Sequence, residues 1–133
     1  MGRFKDIEEA REFFNGDMFA TGNGIVIDEI GDGGCVCSME IRDSHRNALG
    51  GVMGGAIYTL ADFAFAVSSN DGEKTTVVLE AKINFLSWTK GSKLTAVSRC
   101  VKEGKTTSVY SITISDDQGR EIALFTGTGY RLK

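Results

Sequence analysis

The chemistry-bearing residues of this chain of 133 residues sit in two places. The first is the stretch His45-Arg46-Asn47-Ala48-Leu49-Gly50-Gly51-Val52-Met53-Gly54-Gly55, and the second is Asp62, the one carboxylate in the apolar run that follows. Glycine lets a backbone approach a ligand closely, and the first N–H groups of a helix have no intrahelical partner and lie at its positive end. The pairs Gly50-Gly51 and Gly54-Gly55 therefore make an oxyanion site, unless they serve only tight turning and close packing. Asp62 stands among Leu60, Ala61, Phe63, Ala64 and Phe65. Buried unpaired there, a carboxylate costs several kcal/mol of desolvation, so it must be paired, wetted by a cleft, or raised in pKa. A perturbed carboxylate in a cleft is a candidate general base or nucleophile; the other reading is a backbone cap or an ion pair across an interface. Gly54 and Asp62 are eight residues apart, about 12 Å along one helix. One carbonyl cannot touch both within a chain, so a shared reaction requires a two-fold related second copy.

The elements that must position these residues can be read from periodicity. Ala56 to Ser69 reads as a long helix, apolar on nearly all sides and hence buried on nearly all sides. Phe4, Ile7, Ala10, Phe13 and Phe14 recur at helical spacing, with Asp6, Glu8 and Glu9 at the favoured end, which predicts a short helix over 6–15. Residues 18–30 read as an irregular first strand broken by Gly22 and Gly24, and 35–41 as a strand with Cys35, Cys37, Met39 and Ile41 on one face. Beyond the stop at Asn70-Asp71-Gly72 the period becomes two, with Val77, Leu79, Ala81, Ile83 and Phe85 lining one face of a third strand. Turn clusters at 90–92, 102–105 and 116–119 then space strands of about ten residues in an antiparallel meander. An α+β fold in which one antiparallel sheet curls around a single helix satisfies this layout, as one domain over residues 1–133.

Composition narrows the function. A net charge of −3 and a pI near 5.2 argue against a nucleic-acid surface. No apolar run is long enough to span a bilayer, and the residues from Met1 to Glu9 lack the apolar core of a secretory signal. Three cysteines without the density of a disulfide scaffold point to a cytoplasmic location. Cys35 and Cys37 share a strand face, but no further Cys or His cluster completes a metal site, so no metal or other cofactor is expected. His45 is the sole histidine, which argues against a Ser-His-Asp triad and leaves it either a ligand contact or a loop hydrogen bond that sets Asn47. Arg46, Lys82, Lys90, Arg99, Lys102 and Lys105 are available to phosphates, and Phe63, Phe65, Phe85 and Trp88 to an apolar group.

The pattern His45-x-Asn47-x-x-Gly50-x-x-Met53-Gly54-Gly55, followed by Leu60-Ala61-Asp62, resembles the signature of hotdog-fold acyl-CoA thioesterases of the phenylacetic-acid-degradation type. The resemblance implies a long helix wrapped by an antiparallel sheet, dimers whose sheets join and often pair into tetramers, and active sites at the subunit interface. It also implies that the Gly54 N–H polarises the thioester carbonyl of an acyl-CoA substrate and that Asn47 helps to position it. Asp62 of the partner chain would then act as nucleophile or as base on water. His45, Met53 and Gly55 would lie at the substrate. The family usually has His immediately before the two glycines, where this chain has Met53, and that departure keeps a non-catalytic acyl-CoA-binding module as the alternative. A dehydratase on the same fold ranks behind both. A Ser or Thr near the start of the third strand is also expected; Val77 and Val78 occupy that region and Thr75 and Thr76 precede it, which makes Thr76 the candidate.

Overall fold

A computed structural model describes residues 2–72 and 75–132; Met1 and Lys133, the ends of the expected 1–133 domain, lie outside the described residues. The chain runs α1 (Ile7–Phe14), α2 (Met18–Gly22), β1 (Val26–Gly31), β2 (Gly34–Glu40), a 3-10 turn (Asp43–His45), α3 (Gly54–Ser69), β3 (Thr76–Phe85), β4 (Lys93–Glu103), β5 (Thr107–Asp116) and β6 (Glu121–Arg131). All six strands form one antiparallel sheet in the order β1-β2-β4-β5-β6-β3.

The long helix is buried as its polarity requires. Leu60, Ala61, Ala64 and Val67 are fully enclosed, and α3 packs on β2, β4 and β5, whose inward residues include Cys37, Met39, Leu94, Ala96, Ile112 and Ile114. Each large side chain removed from water here contributes ~2 kcal/mol, which makes α3 the centre of the fold. The expected first helix is present as α1. Asp6 caps it, its Oδ1 accepting the Glu9 N–H at 2.9 Å, and its Phe14 ring meets Phe63 of α3 edge-on at 5.8 Å. The Arg11 guanidinium donates to the Ile27 carbonyl at 3.0 and 2.8 Å, which ties α1 to β1.

Three expectations are corrected. Residues 18–22 form the helix α2 rather than the start of a strand. The turn at Asn15-Gly16-Asp17 feeds a single helical turn, with the Thr21 N–H bonded to the Asp17 carbonyl at 3.0 Å, and β1 begins only after Gly24, whose φ of +85° is a left-handed turn conformation. Second, the later strands are not a simple meander, because β3 pairs with β6 at the far edge and only β4, β5 and β6 follow one another in space. Third, a bulge between Val78 and Glu80 breaks the expected face of β3. Directly opposed residues share a face. Ala81, Ile83 and Phe85 oppose Gly127, Phe125 and Ala123 on the α3 side, whereas Val77 opposes Tyr130 and points the other way.

Candidate active site

The loop that leads into α3 is built by its own hydrogen bonds. His45 is buried, its Nδ1 accepting the Arg42 N–H at 3.0 Å, so that Nε2 carries the proton and donates to the Asn23 carbonyl at 3.1 Å. Burial and the nearby Arg42 charge hold its pKa below the usual imidazole value, against the opposing pull of the Asn23 carbonyl. The Met53 N–H returns to the His45 carbonyl at 2.8 Å, closing the loop at its base. Within it, the Asn47 N–H bonds the Gly51 carbonyl at 2.8 Å, and Asn47 Oδ1 accepts from the N–H groups of Leu49 and Gly51 at 3.0 and 3.1 Å. The Asn47 side-chain oxygen is thus spent on the loop, while its Nδ2 has no partner among the described residues. Gly51 lies against the Trp88 ring, and a Cβ there would fall 2.0 Å from it, so that ring would have to shift for any larger residue.

This loop delivers the α3 N-terminus to a cavity of about 450 Å³ lined by Asn47, Gly54, Phe85, Leu86, Trp88 and Thr89, among others. Met53 occupies the N-cap position, where its thioether makes no capping hydrogen bond. The N–H groups of Ala56 and Ile57 fold back to the Met53 carbonyl at 3.0 and 3.3 Å, and those of Gly54 and Gly55 make no hydrogen bond among the described residues. An uncapped helix end at a cavity wall holds partial positive charge where a carbonyl oxygen can reach it.

Asp62 lies elsewhere. It lines a second cleft, of about 270 Å³, between α2 and α3, together with Asp17, Met18, Phe19, Thr59 and Phe63. It accepts no hydrogen bond and forms no ion pair among the described residues. Burial, and then the charge of Asp17, hold its carboxyl above the ordinary carboxylate range. Thr76 is farther still, at the opposite end of α3. The C-cap residue Asn70 brackets it, Oδ1 accepting the Thr76 N–H at 2.8 Å and Nδ2 donating to the Thr76 carbonyl at 3.2 Å, while Thr76 Oγ1 is buried without a partner among the described residues. The chain therefore brings Asn47, Met53, Gly54 and Gly55 together and keeps Asp62 and Thr76 apart from them.

Of the aromatic candidates, Phe85 and Trp88 line the Gly54 cavity and Phe63 the Asp62 cleft, whereas Phe65 is core, edge-on to Tyr110 at 5.7 Å. Among the cations, Arg46 donates to the Gly50 carbonyl beside the Gly54 cavity, and Lys90 is exposed and next in sequence to Thr89 of the cavity wall. Lys102 and Lys105 sit at the other end of the sheet, near the Glu103–Arg131 pair. Cys35 and Cys37 are buried with their sulfurs 3.8 Å apart, and Ser68 Oγ lies 3.2 Å from Cys35 Sγ. The bond to Cys35 and burial both push the Cys37 thiol upward. Among the described residues no group of three or more His, Cys, Asp or Glu side chains is placed to hold a metal, and no helix is long and apolar enough to cross a membrane. Asp17, Met18, Phe19 and Arg120, which donates to the Trp88 carbonyl at 3.1 Å, were not singled out from sequence. Helical spacing at 17–22 is one turn long, too short for a periodic signal.

A sheet wrapped around one long helix, with the free N–H groups of that helix facing a cavity, is the hotdog arrangement of thioester hydrolases. The chain belongs to the thioesterase superfamily, whose family model matches residues 49–123. It is 32% identical over 126 residues to the acyl-coenzyme A thioesterase PaaI of Escherichia coli, covering 94% of this chain and 90% of that protein. The solved structure of the E. coli PaaI protein, from the phenylacetic acid degradation operon, superposes with a TM-score of 0.88 at 31% identity over 93% of this chain and 91% of that one. A hypothetical thioesterase of Streptococcus pneumoniae, solved with coenzyme A, gives a TM-score of 0.82 at 26% identity, covering 90% of this chain and 96% of that one.

Proposed function

We propose that this protein hydrolyses an acyl-CoA thioester to the free acid and coenzyme A, at a site shared by two copies of the chain. The observation that carries the reading is the pair of separated half-sites: a cavity with the unpartnered Gly54 N–H, and a different cleft with the unpartnered Asp62 carboxylate. The edge strand β3 supplies a way to join them. It is ten residues long, its exposed residues include Val77, Val78, Leu79 and Phe85, and its outer backbone groups are unpaired in the sheet. An exposed apolar edge of this length favours pairing with another strand. Two-fold pairing of β3 with itself is antiparallel, so the Phe85 end of one copy meets the Thr76 end of the other. Gly54 packs at the Phe85 end and Asn70 at the Thr76 end. The second copy's α3, which carries Asp62, then runs toward this chain's Gly54, as does the Thr76 start of its β3. The assembly is a homodimer, or two such dimers as a homotetramer, and the whole chain acts as one domain.

In that site the Gly54 N–H, with Gly55 beside it, donates to the thioester oxygen as it becomes an oxyanion. Asn47 Nδ2, whose orientation is set by the two bonds to Oδ1, positions the thioester. Asp62 of the second copy either takes a proton from the attacking water or attacks the carbonyl itself, giving an acyl-enzyme that water then cleaves. In the base route water forms the new C–O bond as the C–S bond breaks, and the thiolate leaves with the proton that Asp62 took from the water. In the nucleophile route the Asp62 carboxylate forms the C–O bond of a mixed anhydride as the C–S bond breaks and the thiolate takes its proton from solvent; water then cleaves the anhydride to the free acid and returns the carboxylate. His45 acts through the loop, as a positioning residue. Met53 offers a thioether contact where a hydrogen-bonding side chain would be usual, so polarisation of the carbonyl falls to the backbone. Three free thiols, two of them buried, suit a reducing compartment such as the cytoplasm.

The test is complementation. Asp62→Asn and Gly54→Val chains, each inactive alone, are denatured, mixed in equal amounts and refolded, and acyl-CoA hydrolysis is followed by thiol release. A mixed dimer holds one intact site, so about a quarter of wild-type activity should return at statistical mixing. No recovery from well-folded mixed dimers would refute the shared site.

A further inference from the structure

We propose that the acyl group of the substrate lies in the cleft between α2 and α3, against Met18 and Phe19, and that Phe63 limits its length by closing this cleft against a second apolar slot. The proposal rests on the shared-site reading above and adds the direction of the two arms of the thioester. The reacting carbon lies between Gly54 of one copy and Asp62 of the other, so one arm must run into each cleft.

Charge and polarity decide which arm goes where. The Gly54 cavity carries Asn47, Ser87 and Thr89 on its wall, and the Arg46 and Arg120 guanidinium groups bond the carbonyls of Gly50 and Trp88 beside it. These groups suit the amides and phosphates of coenzyme A. The Asp62 cleft has the opposite character. Its charged residues are Asp17 and Asp62, which repel phosphate, and the rest of its wall is Met18, Phe19, Ala20, Thr59, Phe63 and Ala66. An uncharged apolar group is the arm that fits.

The shape of α2 supports the same assignment. On this five-residue helix Met18 and Phe19 are 78% and 74% exposed, and Ala20 is its buried anchor. In the single chain these two adjacent large apolar side chains flank the candidate catalytic carboxylate and present an apolar wall to whatever enters the cleft. The cleft volume of about 270 Å³ can be compared with the ~150 Å³ that suffices for benzene. An aryl group or a short alkyl chain therefore fits, and a long chain does not.

Phe63 is the reason for the limit. It lines the Asp62 cleft and also a neighbouring, mainly apolar slot of about 280 Å³, walled by Phe14, Ile25, Val26 and Ile27 with Arg11, Asn15 and Thr21 at its polar side. Its ring is 3% exposed and held edge-on by Phe14. Phe63 is the side chain common to both walls, so removing its ring would open one space to the other, and the enlarged space would accept a longer acyl chain.

The experiment compares kcat/KM for acetyl-, hexanoyl-, benzoyl- and decanoyl-CoA in the wild type, Phe19→Ser, Phe63→Leu and Phe63→Ala. Phe19→Ser should lower the hexanoyl-to-acetyl ratio about tenfold, mainly through KM, since loss of one apolar contact in a pocket is worth ~10-fold or more in discrimination. Phe63→Ala should raise the decanoyl-to-hexanoyl ratio by a similar factor, with Phe63→Leu between. Phe63→Leu and the exposed-site Phe19→Ser keep the test decisive if Phe63→Ala fails to fold. Ratios unchanged in both, while Asp62→Asn abolishes hydrolysis, would overturn this proposal and leave the shared chemistry standing. Absence of hydrolysis of every acyl-CoA by the wild type would overturn both.

Discussion

Asp62→Asn should make the protein more stable and nearly inactive, and the two effects have separable physical origins. The substitution keeps the shape of the side chain and removes its charge. Asp62 is half-buried, has no hydrogen-bond or ion-pair partner among the described residues, and shares its cleft with Asp17. Burial and that second carboxylate raise its pKa above the 3.8 of a free aspartate. The folded state therefore binds this proton more tightly than the unfolded state does. Stability from this group is complete below pH 3.8 and falls as pH rises through the raised folded value. At neutral pH the charge is a burden that Asn relieves, by no more than about 1 kcal/mol at a partly wetted site. For a chain this size each kcal/mol moves the melting temperature by about 4 °C. Activity moves the other way. A base or nucleophile in its place contributes ~10²–10⁴ in rate, or about 3–5 kcal/mol of transition-state stabilisation. Thermal melts and thiol-release kinetics at pH 4, 5.5 and 7.5 measure both. The gain in melting temperature should be smaller at pH 4 than at 7.5, with kcat reduced at least a hundredfold. A variant that melts lower than wild type at pH 7.5, or retains kcat within twofold, would refute the reasoning.

Asp17→Asn should move the acid limb of the kcat/KM profile to lower pH, because it removes the charge that raises Asp62 after burial and leaves Tyr58 as the other titratable neighbour linked to Asp62; an unmoved limb would show that Asp17 does not act on the reacting carboxylate. His45→Ala should lower the melting temperature by about 10 °C, since it empties a buried site and strands two backbone partners at a cost of ~2–4 kcal/mol. The depressed His45 pKa adds a sign: wild-type stability should fall as pH drops below about 6.5, where the unfolded chain takes up a proton that the folded ring resists. That acid-side loss should be smaller in His45→Ala when melts at pH 5 and 7.5 are compared.

What could be read in the sequence were the quantities that depend on near neighbours. The buried helix α3 follows from the polarity of 56–69, and Asp62 stands out within it for the same reason. The separation of Gly54 from Asp62 needs only the rise per residue. The three structural surprises have non-local causes. β3 lies beside β6 because the edge it joins exists only once β4, β5 and β6 have paired. The bulge between Val78 and Glu80 exchanges the faces of a strand whose alternation looks unbroken, because an extra residue changes parity without changing composition. The types of His45 and Asn47 were informative, yet whether they meet ligand or loop depends on carbonyls and N–H groups at Asn23, Arg42, Leu49 and Gly51.

The pattern of residues 18–22 reads as strand, and the helix α2 that forms there instead is the element that gives Asp62 its surroundings. Met18, Phe19 and Ala20 are consecutive apolar residues, a pattern that fits a buried strand as well as one helical turn. Asp17 tips the balance, its carbonyl accepting the Thr21 N–H at 3.0 Å and the Thr21 hydroxyl at 3.1 Å. Had 18–22 been a strand, its apolar side chains would have alternated between two faces of the sheet and none would have bordered α3 as a group. As a helix they lie together beside Asp62, and Asp17 is brought into the same cleft. The carboxylate on α3 was legible from sequence; the neighbouring Asp17 charge and the Met18, Phe19 and Ala20 walls reach it through a single helical turn that sequence periodicity is too coarse to resolve.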